Sequence, residues 1–224
     1  MSVETWANKF WWHWIVANSL AEFLGLGSIA AAGFVVVTQL GEPHGLFAAL
    51  RFALIFILLG AFEGLVVGLA QAKVLQQRLP MLRGWIRATV VGAVLAWTLG
   101  MLPSTLMSIT AANSAVPPPA ISEGLRLLFA AGLGLITGPV LAFFQWRRLR
   151  VYITARAGWW LPANALAWAL GMPVIFAGAH ISAITTNPVY LAVGVGLSLL
   201  LAGALVGAVH GRVLVWMLGD AISP

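Results

Sequence analysis

Six long apolar stretches run through this sequence, and they limit the chain to one kind of fold. They lie at about 14–38, 52–72, 88–107, 127–146, 159–179 and 190–216. A helix needs about 20 apolar residues to cross roughly 30 Å of hydrocarbon, and each stretch reaches that length. Backbone groups in lipid must be satisfied within each segment, and the stretches are too long for barrel strands. The sequence therefore predicts an all-α membrane protein with six transmembrane helices.

The composition agrees with lipid as the main solvent of the chain. Charged residues make up only 8% of it, against roughly 25% in soluble domains. The segment before the first stretch carries one lysine, and no small-residue cleavage site follows, so we expect a retained first helix. Cysteine is absent, which excludes disulfides, thiolate metal ligands and thiol nucleophiles.

The basic residues indicate how the chain is oriented. Ten of the 12 lysines and arginines fall on the side of the predicted bundle that carries both termini, and only Arg51 and Arg126 fall on the other. The positive-inside rule then places the N and C termini in the cytoplasm, with the protein integral to the bacterial inner membrane. Short basic loops at helix ends are typical of membrane topology and of contact with anionic lipid headgroups, so we exclude nucleic acid as a partner.

The even-numbered helices carry a sequence that occurs three times. The copies are EGLVVGLAQAKVL from Glu63, TGPVLAFFQWRRL from Thr137 and AGALVGAVHGRVL from Ala202. With Gln71, Gln145 and His210 aligned, small residues recur seven and three positions earlier. These are Gly64, Gly68, Gly138, Ala142, Gly203 and Gly207. Small residues four apart share a helix face and let a second helix approach closely, so each pair predicts a helix-packing seam.

The odd-numbered helices repeat as well. The segment from Trp14 matches the segment from Trp160 without a gap, whereas the middle copy is matched through Ala96 and Trp97, with Trp85 four residues early. The chain is thus predicted to be a single transmembrane domain, 1–224, made of three parallel two-helix repeats at about 11–80, 81–155 and 156–218. Each repeat crosses the membrane twice, so all three enter from the same side. We expect pseudo-threefold symmetry about the membrane normal.

Tryptophan-rich segments alternate with glycine-rich ones along the chain. The segments WIVANSLAEFLGLG and WWLPANALAWALGM belong to the first kind, and GLVVGLAQAKVLQQRLP belongs to the second. Over most of its length the chain resembles a group of uncharacterised bacterial polytopic membrane proteins. The resemblance implies no activity.

Two acidic side chains, Glu22 and Glu63, lie deep inside the predicted spans. At 1.5 Å per residue both sit roughly 12–15 Å from the cytoplasmic surface, so their carboxyls can meet. A low-dielectric site disfavours two negative charges, and a proton or a cation between them would remove the repulsion. Asn18 is a further candidate member of this proton or cation site. The alternative is that each acid is protonated and serves only as polar glue between helices.

Histidines and tryptophans supply the remaining candidates. If the helices close into a ring, His13 could approach His210 and ligate a haem or a metal, although interfacial imidazoles are more common than ligands. Trp97 and Trp168 lie inside the spans and pack on helices or stack on a pigment, quinone or sterol. The other tryptophans near the cytoplasmic helix ends predict an interfacial belt: Trp6, Trp11, Trp12, Trp14, Trp85, Trp159, Trp160 and Trp216.

The sequence predicts no enzyme, because no serine or threonine has a recognisable base partner and no phosphate loop or acidic metal motif is present. The first hypothesis is a small transporter or channel-like protein with the carboxyl pair as its site. The alternative is a noncatalytic integral subunit or scaffold that packs against lipids, an integral partner or a second copy. A weaker third possibility is a haem- or pigment-binding membrane protein.

Overall fold

The computed structural model describes residues 3–80, 82–112, 121–153 and 155–221 and is helical throughout its regular structure. The six α-helices of this part are α1 (Val3–Leu40), α2 (Gly45–Leu75), α3 (Trp85–Ala112), α4 (Glu123–Leu149), α5 (Trp160–Ala179) and α6 (Pro188–Ala221). Each is long and apolar enough to cross a membrane. The prediction of six transmembrane helices is confirmed at this level. With 38 residues, α1 extends about 57 Å, well beyond the hydrocarbon thickness.

The helices form a closed ring. Each packs against the next in chain order, and α6 packs against α1. The closest pairs are α2 with α3, α4 with α5, and α6 with α1. The connections from α2 to α3 and from α4 to α5 lie on the side of the bundle that carries both termini. On the same side, α1 begins and α6 ends.

The two ends of the bundle differ in charge. We call the end with the termini the basic end, because ten of the 12 lysines and arginines fall there: Lys9, Lys73, Arg78, Arg83, Arg87, Arg147, Arg148, Arg150, Arg156 and Arg212. The distal end carries the turns at 41–44 and 184–187. At the start of α4, Arg126 pairs there with Glu123, which also lies 3.6 Å from His180.

An apolar core closes the basic end. We call it the basic-end core, and its members include Leu75, Leu149 and Leu214, all fully buried, together with Phe10 and Met217. The three leucines end the repeated sequence in α2, α4 and α6. At this end the bundle is therefore filled with side chains.

Four tryptophans expected in the interfacial belt lie inside this core instead. Trp6, Trp14, Trp85 and Trp160 are 8%, 0%, 2% and 0% exposed, whereas Trp12 and Trp159 are both 58% exposed. The belt prediction was wrong for these buried rings, and Trp14, Trp85 and Trp160 each find a hydrogen-bond acceptor for the indole N–H inside the bundle. A buried tryptophan usually has such a partner.

The predicted small-residue seams lie between each even-numbered helix and the odd-numbered helix that it packs on most closely. A Cβ atom added to Gly64 would lie 2.6 Å from Ala93 Cβ on α3, and one added to Gly138 would lie 2.5 Å from the Asn164 carbonyl oxygen on α5. Gly68 likewise faces α3, Gly203 and Gly207 face α1, and Ala142 is fully buried. These faces are occupied within the chain itself.

Candidate functional site

The two intramembrane acids meet at the middle of the bundle. Glu22 on α1 and Glu63 on α2 are 2% and 6% exposed, and both line one small cavity among the six helices. Ionised carboxylates only accept hydrogen bonds, so a hydrogen bond between the two groups requires a proton on one of them. The pair therefore forms a natural site for one proton or for a small cation.

The two acids differ in their other partners. Trp97 Nε1 on α3 donates to Glu63 Oε2, whereas Glu22 Oε2 is buried and has no hydrogen-bond partner among the described residues. An unpaired buried acceptor costs about 1–3 kcal/mol. That cost is removed when a donor or a cation occupies the space in front of Glu22.

Asn18 lies one turn before Glu22 but uses its amide elsewhere. Its Nδ2 donates to the Trp14 carbonyl oxygen at 2.8 Å, and its Oδ1 accepts from Gln71 Nε2 at 2.8 Å. Asn18 therefore lines the space beside the carboxyl pair, while the bond from Gln71 ties it to α2.

Glycines make room for the acid pair, and the sequence analysis did not single them out. A Cβ atom added to Gly60 would lie 2.1 Å from the Trp97 ring, and one added to Gly25 would lie 2.9 Å from Glu63 Cγ. Trp97 reaches Glu63 because Gly60 has no side chain. The depth of the acids alone does not reveal this requirement, since it depends on which helices become neighbours.

A cavity in the distal half of the bundle reaches Glu63. This distal cavity has a volume of about 330 Å³ and lies mainly among α3, α4 and α5, with Glu63 of α2 at its inner end. Trp97, Trp168 and Phe176 contribute aromatic walls, and Ser104 lines it in the distal half of α3. Among the described residues that line it, Glu63 is the one charged side chain.

A second and much smaller cavity lies on the other side of the pair. This axial cavity, of about 10 Å³, is lined by residues of all six helices, including Glu22, Glu63, Asn164 and His210. Its volume is about that needed for one water molecule. Both Glu22 Oε2 and Asn164 Oδ1, which are buried acceptors without a partner, belong to residues that line it.

Below the axial cavity, three tryptophans donate to three side chains of the even-numbered helices. Trp85 Nε1 donates to Gln71 Oε1 at 3.2 Å, Trp160 Nε1 to Gln145 Oε1 at 3.0 Å, and Trp14 Nε1 to His210 Nδ1 at 2.9 Å. The Trp160 ring contacts the other two, with centroids 6.2 Å from Trp14 and 6.1 Å from Trp85. We call these six residues the tryptophan–amide cluster.

In two of the three positions of the cluster, a glutamine donates onward to a side chain on an odd-numbered helix, and in the third this bond is missing. Gln71 Nε2 donates to Asn18 Oδ1, and Gln145 Nε2 donates to Thr89 Oγ1 at 2.9 Å. The corresponding acceptor on α5, Asn164 Oδ1, has no partner. On α6 the place of the glutamine is taken by His210, whose shorter side chain carries no amide.

Thr89 is a site residue that the sequence analysis missed. The segments WIVAN from Trp14, WIRAT from Trp85 and WLPAN from Trp160 share a pattern in which the fifth side chain donates to the carbonyl oxygen of the tryptophan, at 2.8, 3.1 and 2.8 Å. The middle copy therefore needs no shift at Trp85. In this register Ala93, rather than Trp97, corresponds to Glu22. Comparing these pentapeptides would have revealed the match.

His13 and His210 have different surroundings. His13 is exposed, and its Nδ1 lies 3.4 Å from Gln77 Oε1. His210 is 1% exposed, with its ring against Trp14 and Trp160. Since Nδ1 of His210 accepts from Trp14, a neutral imidazole here carries its proton on Nε2. Within the described part of the chain, no group of three or more potential metal-binding side chains of His, Cys, Asp or Glu occurs.

A ring of six long apolar helices around buried polar groups defines this chain as a polytopic α-helical membrane protein. No protein-family model matches the sequence, and no curated protein or solved structure matches the chain. The carboxyl pair and the two cavities beside it are therefore the features that bear on function.

Proposed function

We propose that this chain is a small transporter or channel-like protein of the bacterial inner membrane, in which Glu22 and Glu63 bind a proton or a small cation. The observation that carries the proposal is the pair itself: two buried carboxyls that line the same small cavity, one with an oxygen that has no hydrogen-bond partner among the described residues. Charged groups inside a membrane are costly and usually mark pathways for ions or substrates. Glu63 also lines the distal cavity, which we propose as the route of access to the pair.

The proposed pathway is open on one side and closed on the other. The distal cavity reaches Glu63, while the tryptophan–amide cluster and the basic-end core fill the bundle beyond Glu22. Passage of an ion through the whole protein requires this core to open. A site reached from one end at a time is the arrangement that a transporter needs and that a continuous pore does not need.

We place the basic end in the cytoplasm, with both termini, because positively charged loops are retained on that side. The distal cavity then opens toward the periplasm. We also propose that the hairpins at about 11–80, 81–155 and 156–218 are related by a pseudo-threefold axis along the membrane normal. The recurring tryptophan bonds and the closed ring support this relation. The acid pair belongs to the first hairpin alone, and no catalytic group or resident cofactor is part of the proposal.

Flux in liposomes tests the proposed function. Purified protein is reconstituted, a pH or cation gradient is imposed, and the wild type is compared with Glu22→Gln and Glu63→Gln. We expect wild-type flux and its loss in both variants, because an amide occupies the same space without binding a proton or pairing with a cation. Glu42→Gln, in an exposed distal turn, is the matched control and should keep full flux.

Size-exclusion profiles and helical circular dichroism show whether the variants fold. Equal flux in wild type and in both folded site variants refutes the proposal, as does the absence of flux under every proton and alkali-cation gradient.

The second candidate function is a noncatalytic integral subunit or scaffold in which the acids only hold helices together. The Trp97–Glu63 hydrogen bond favours it, because it ties α2 to α3. Since the small-residue seams are filled within the chain, a partner or a second copy must dock on the outer apolar faces. A stable complex after mild detergent extraction, together with inactive liposomes, supports this candidate. A visible absorbance spectrum of the purified protein tests the haem or pigment alternative.

Anionic lipid headgroups are the proposed partners at the basic end. A cavity of about 300 Å³ is lined there by Arg87, Arg147, Arg148 and Arg150 with apolar neighbours that include Phe144 and Val151. No acidic side chain is among the described residues that line it. Guanidinium groups bind phosphate well. Arg147→Gln with Arg148→Gln should lower the retention of anionic phospholipid through purification, and unchanged retention argues against these partners.

A further inference from the structure

The polar groups that line the distal cavity are arranged to receive a positive charge. Glu63 is the charged group at its inner end, and the described lining includes no lysine, arginine or histidine. The hydroxyls of Ser104 and Thr137 donate to the carbonyl oxygens of Met101 and Leu133 on their own helices. Both hydroxyls therefore present acceptor lone pairs to the cavity. An anion entering here would face a carboxyl and meet no basic side chain.

The walls of the cavity are apolar and aromatic. Trp97, Trp168 and Phe176 line it together with Met101 and Met172. Its volume of about 330 Å³ falls within the range of small-molecule sites, roughly 300–1,000 Å³. The faces of tryptophan rings attract cations, and the attraction is strongest where water is excluded. Trp97 is held in place by a stacked Phe56, with ring centroids 6.5 Å apart.

A bare metal ion does not suit this space. Mg²⁺ and Ca²⁺ take six or more oxygen ligands, whereas the described lining offers one carboxyl and two hydroxyls among mostly apolar groups. An ion small enough for the axial cavity would leave the distal cavity unfilled. The space suits a cation that brings its own apolar body.

We propose that the distal cavity binds an amphipathic organic cation, with its charged group at Glu63 and its apolar body against Trp97 and Trp168. This inference rests on the proposed function and names the substrate class of the same site. The apolar part of such a ligand leaves the lipid and packs against the aromatic walls of the cavity. Its charge compensates the carboxyl pair, which has no basic partner in the described lining.

Binding of a matched pair of probes tests the inference. Benzyltrimethylammonium carries the charge, and neopentylbenzene has the same shape with carbon in place of nitrogen. Titration of the detergent-solubilised full chain, followed by tryptophan fluorescence, should show the cation binding at least about tenfold more tightly than its neutral counterpart. Glu63→Gln should remove that preference, while Glu42→Gln should keep it.

Benzylsulfonate, the anionic member of the series, should not bind. A second variant, Ala96→Phe, fills the cavity from α3 without touching the acid and should weaken both the cation and the neutral probe. It keeps the test decisive if Glu63→Gln fails to fold. Equal affinity for the charged and neutral probes overturns the inference, and so does cation binding that is unchanged in Ala96→Phe.

The failure of this inference is distinguishable from the failure of the proposed function. Glutamate-dependent flux of protons or alkali cations without a preference for the charged probe overturns the organic cation and leaves the carboxyl site standing. A strong preference for the charged probe without any flux supports the binding site and refutes transport.

Discussion

Trp14, Trp85 and Trp160 each donate the indole N–H to a side chain on the helix packed most closely against their own. In two of the three cases that acceptor is a glutamine, whose amide then donates onward to Asn18 or Thr89. In the third case the acceptor is His210, and Asn164 Oδ1 has no donor. Interhelical hydrogen bonds in membrane proteins contribute about 0.6 kcal/mol on average. The incomplete position thus carries a small cost in stability beside the carboxyl pair.

Replacing His210 with glutamine should therefore stabilise the protein. The new Oε1 accepts from Trp14 as Gln71 and Gln145 accept from their tryptophans, and the new Nε2 donates to Asn164 Oδ1. We expect the free energy of unfolding to rise by about 0.5–1 kcal/mol, measured by denaturant titration in mixed micelles. His210→Leu is the control and should lower it by about 1–3 kcal/mol, because the Trp14 N–H loses its acceptor. A His210→Gln protein no more stable than wild type contradicts this account.

At this scale the sequence predicted the position of the acids better than their surroundings. The depth of Glu22 and Glu63 follows from counting residues along two helices, because the helical rise is constant. The burial of Trp160 does not follow from such counting. A tryptophan near a helix end is usually interfacial, and here the side chain of Gln145 on α4 gives the indole N–H of Trp160 an acceptor inside the bundle. That contact is made by the tertiary fold.

Among the elements, the pairing of each even-numbered helix with the following odd-numbered helix rests on close backbone approach. On α4, Gly134 and Gly138 lie against the backbone of α5, where an added Cβ atom would come within 2.1 Å of the Trp168 oxygen and 2.5 Å of the Asn164 oxygen. Without a hydrophobic force between helices in lipid, such contacts gain their energy from dispersion and depend on small residues.

Gly138→Ala should separate α4 from α5 and destabilise the fold. We expect a loss of about 1–3 kcal/mol in the free energy of unfolding, the usual cost of overpacking. Gly132→Ala on the same helix is the matched control, because nothing lies within 4 Å of its added Cβ atom. The control should be neutral or slightly stabilising, since alanine favours the helix more than glycine does. Equal effects of the two substitutions on the unfolding midpoint would show that the seam does not set the packing.

The spacing of the repeated small residues predicted a packing seam on each even-numbered helix. It did not predict which helix packs against that seam. Spacing along one helix defines a face, and it does not say which of five other helices meets that face. The register of α3 shows the same limit. A match through Ala96 and Trp97 and a match through WIRAT are both possible on sequence similarity alone. The hydrogen bond from Trp85 to Gln71 distinguishes them.

The whole molecule is asymmetric between its ends in both charge and access. The distal half contains a cavity of about 330 Å³, whereas fully buried leucines fill the basic end. Residues that line the distal cavity and residues buried at the basic end should therefore differ in chemical accessibility. The absence of cysteine from the sequence makes this difference measurable with single substitutions and no background.

Single cysteines at four positions should react with a membrane-impermeant maleimide in a fixed order. In intact spheroplasts we expect labelling of Glu42→Cys, in a distal turn, and of Ser104→Cys, in the distal cavity, because the proposed orientation places both on the periplasmic side. Gln76→Cys, exposed at the basic end, should react only after permeabilisation, since positively charged ends are cytoplasmic. Leu75→Cys, fully buried, should react only after denaturation. Early labelling at residue 76 reverses the orientation, and labelling at residue 42 without labelling at residue 104 shows that the cavity has no aqueous opening on that side.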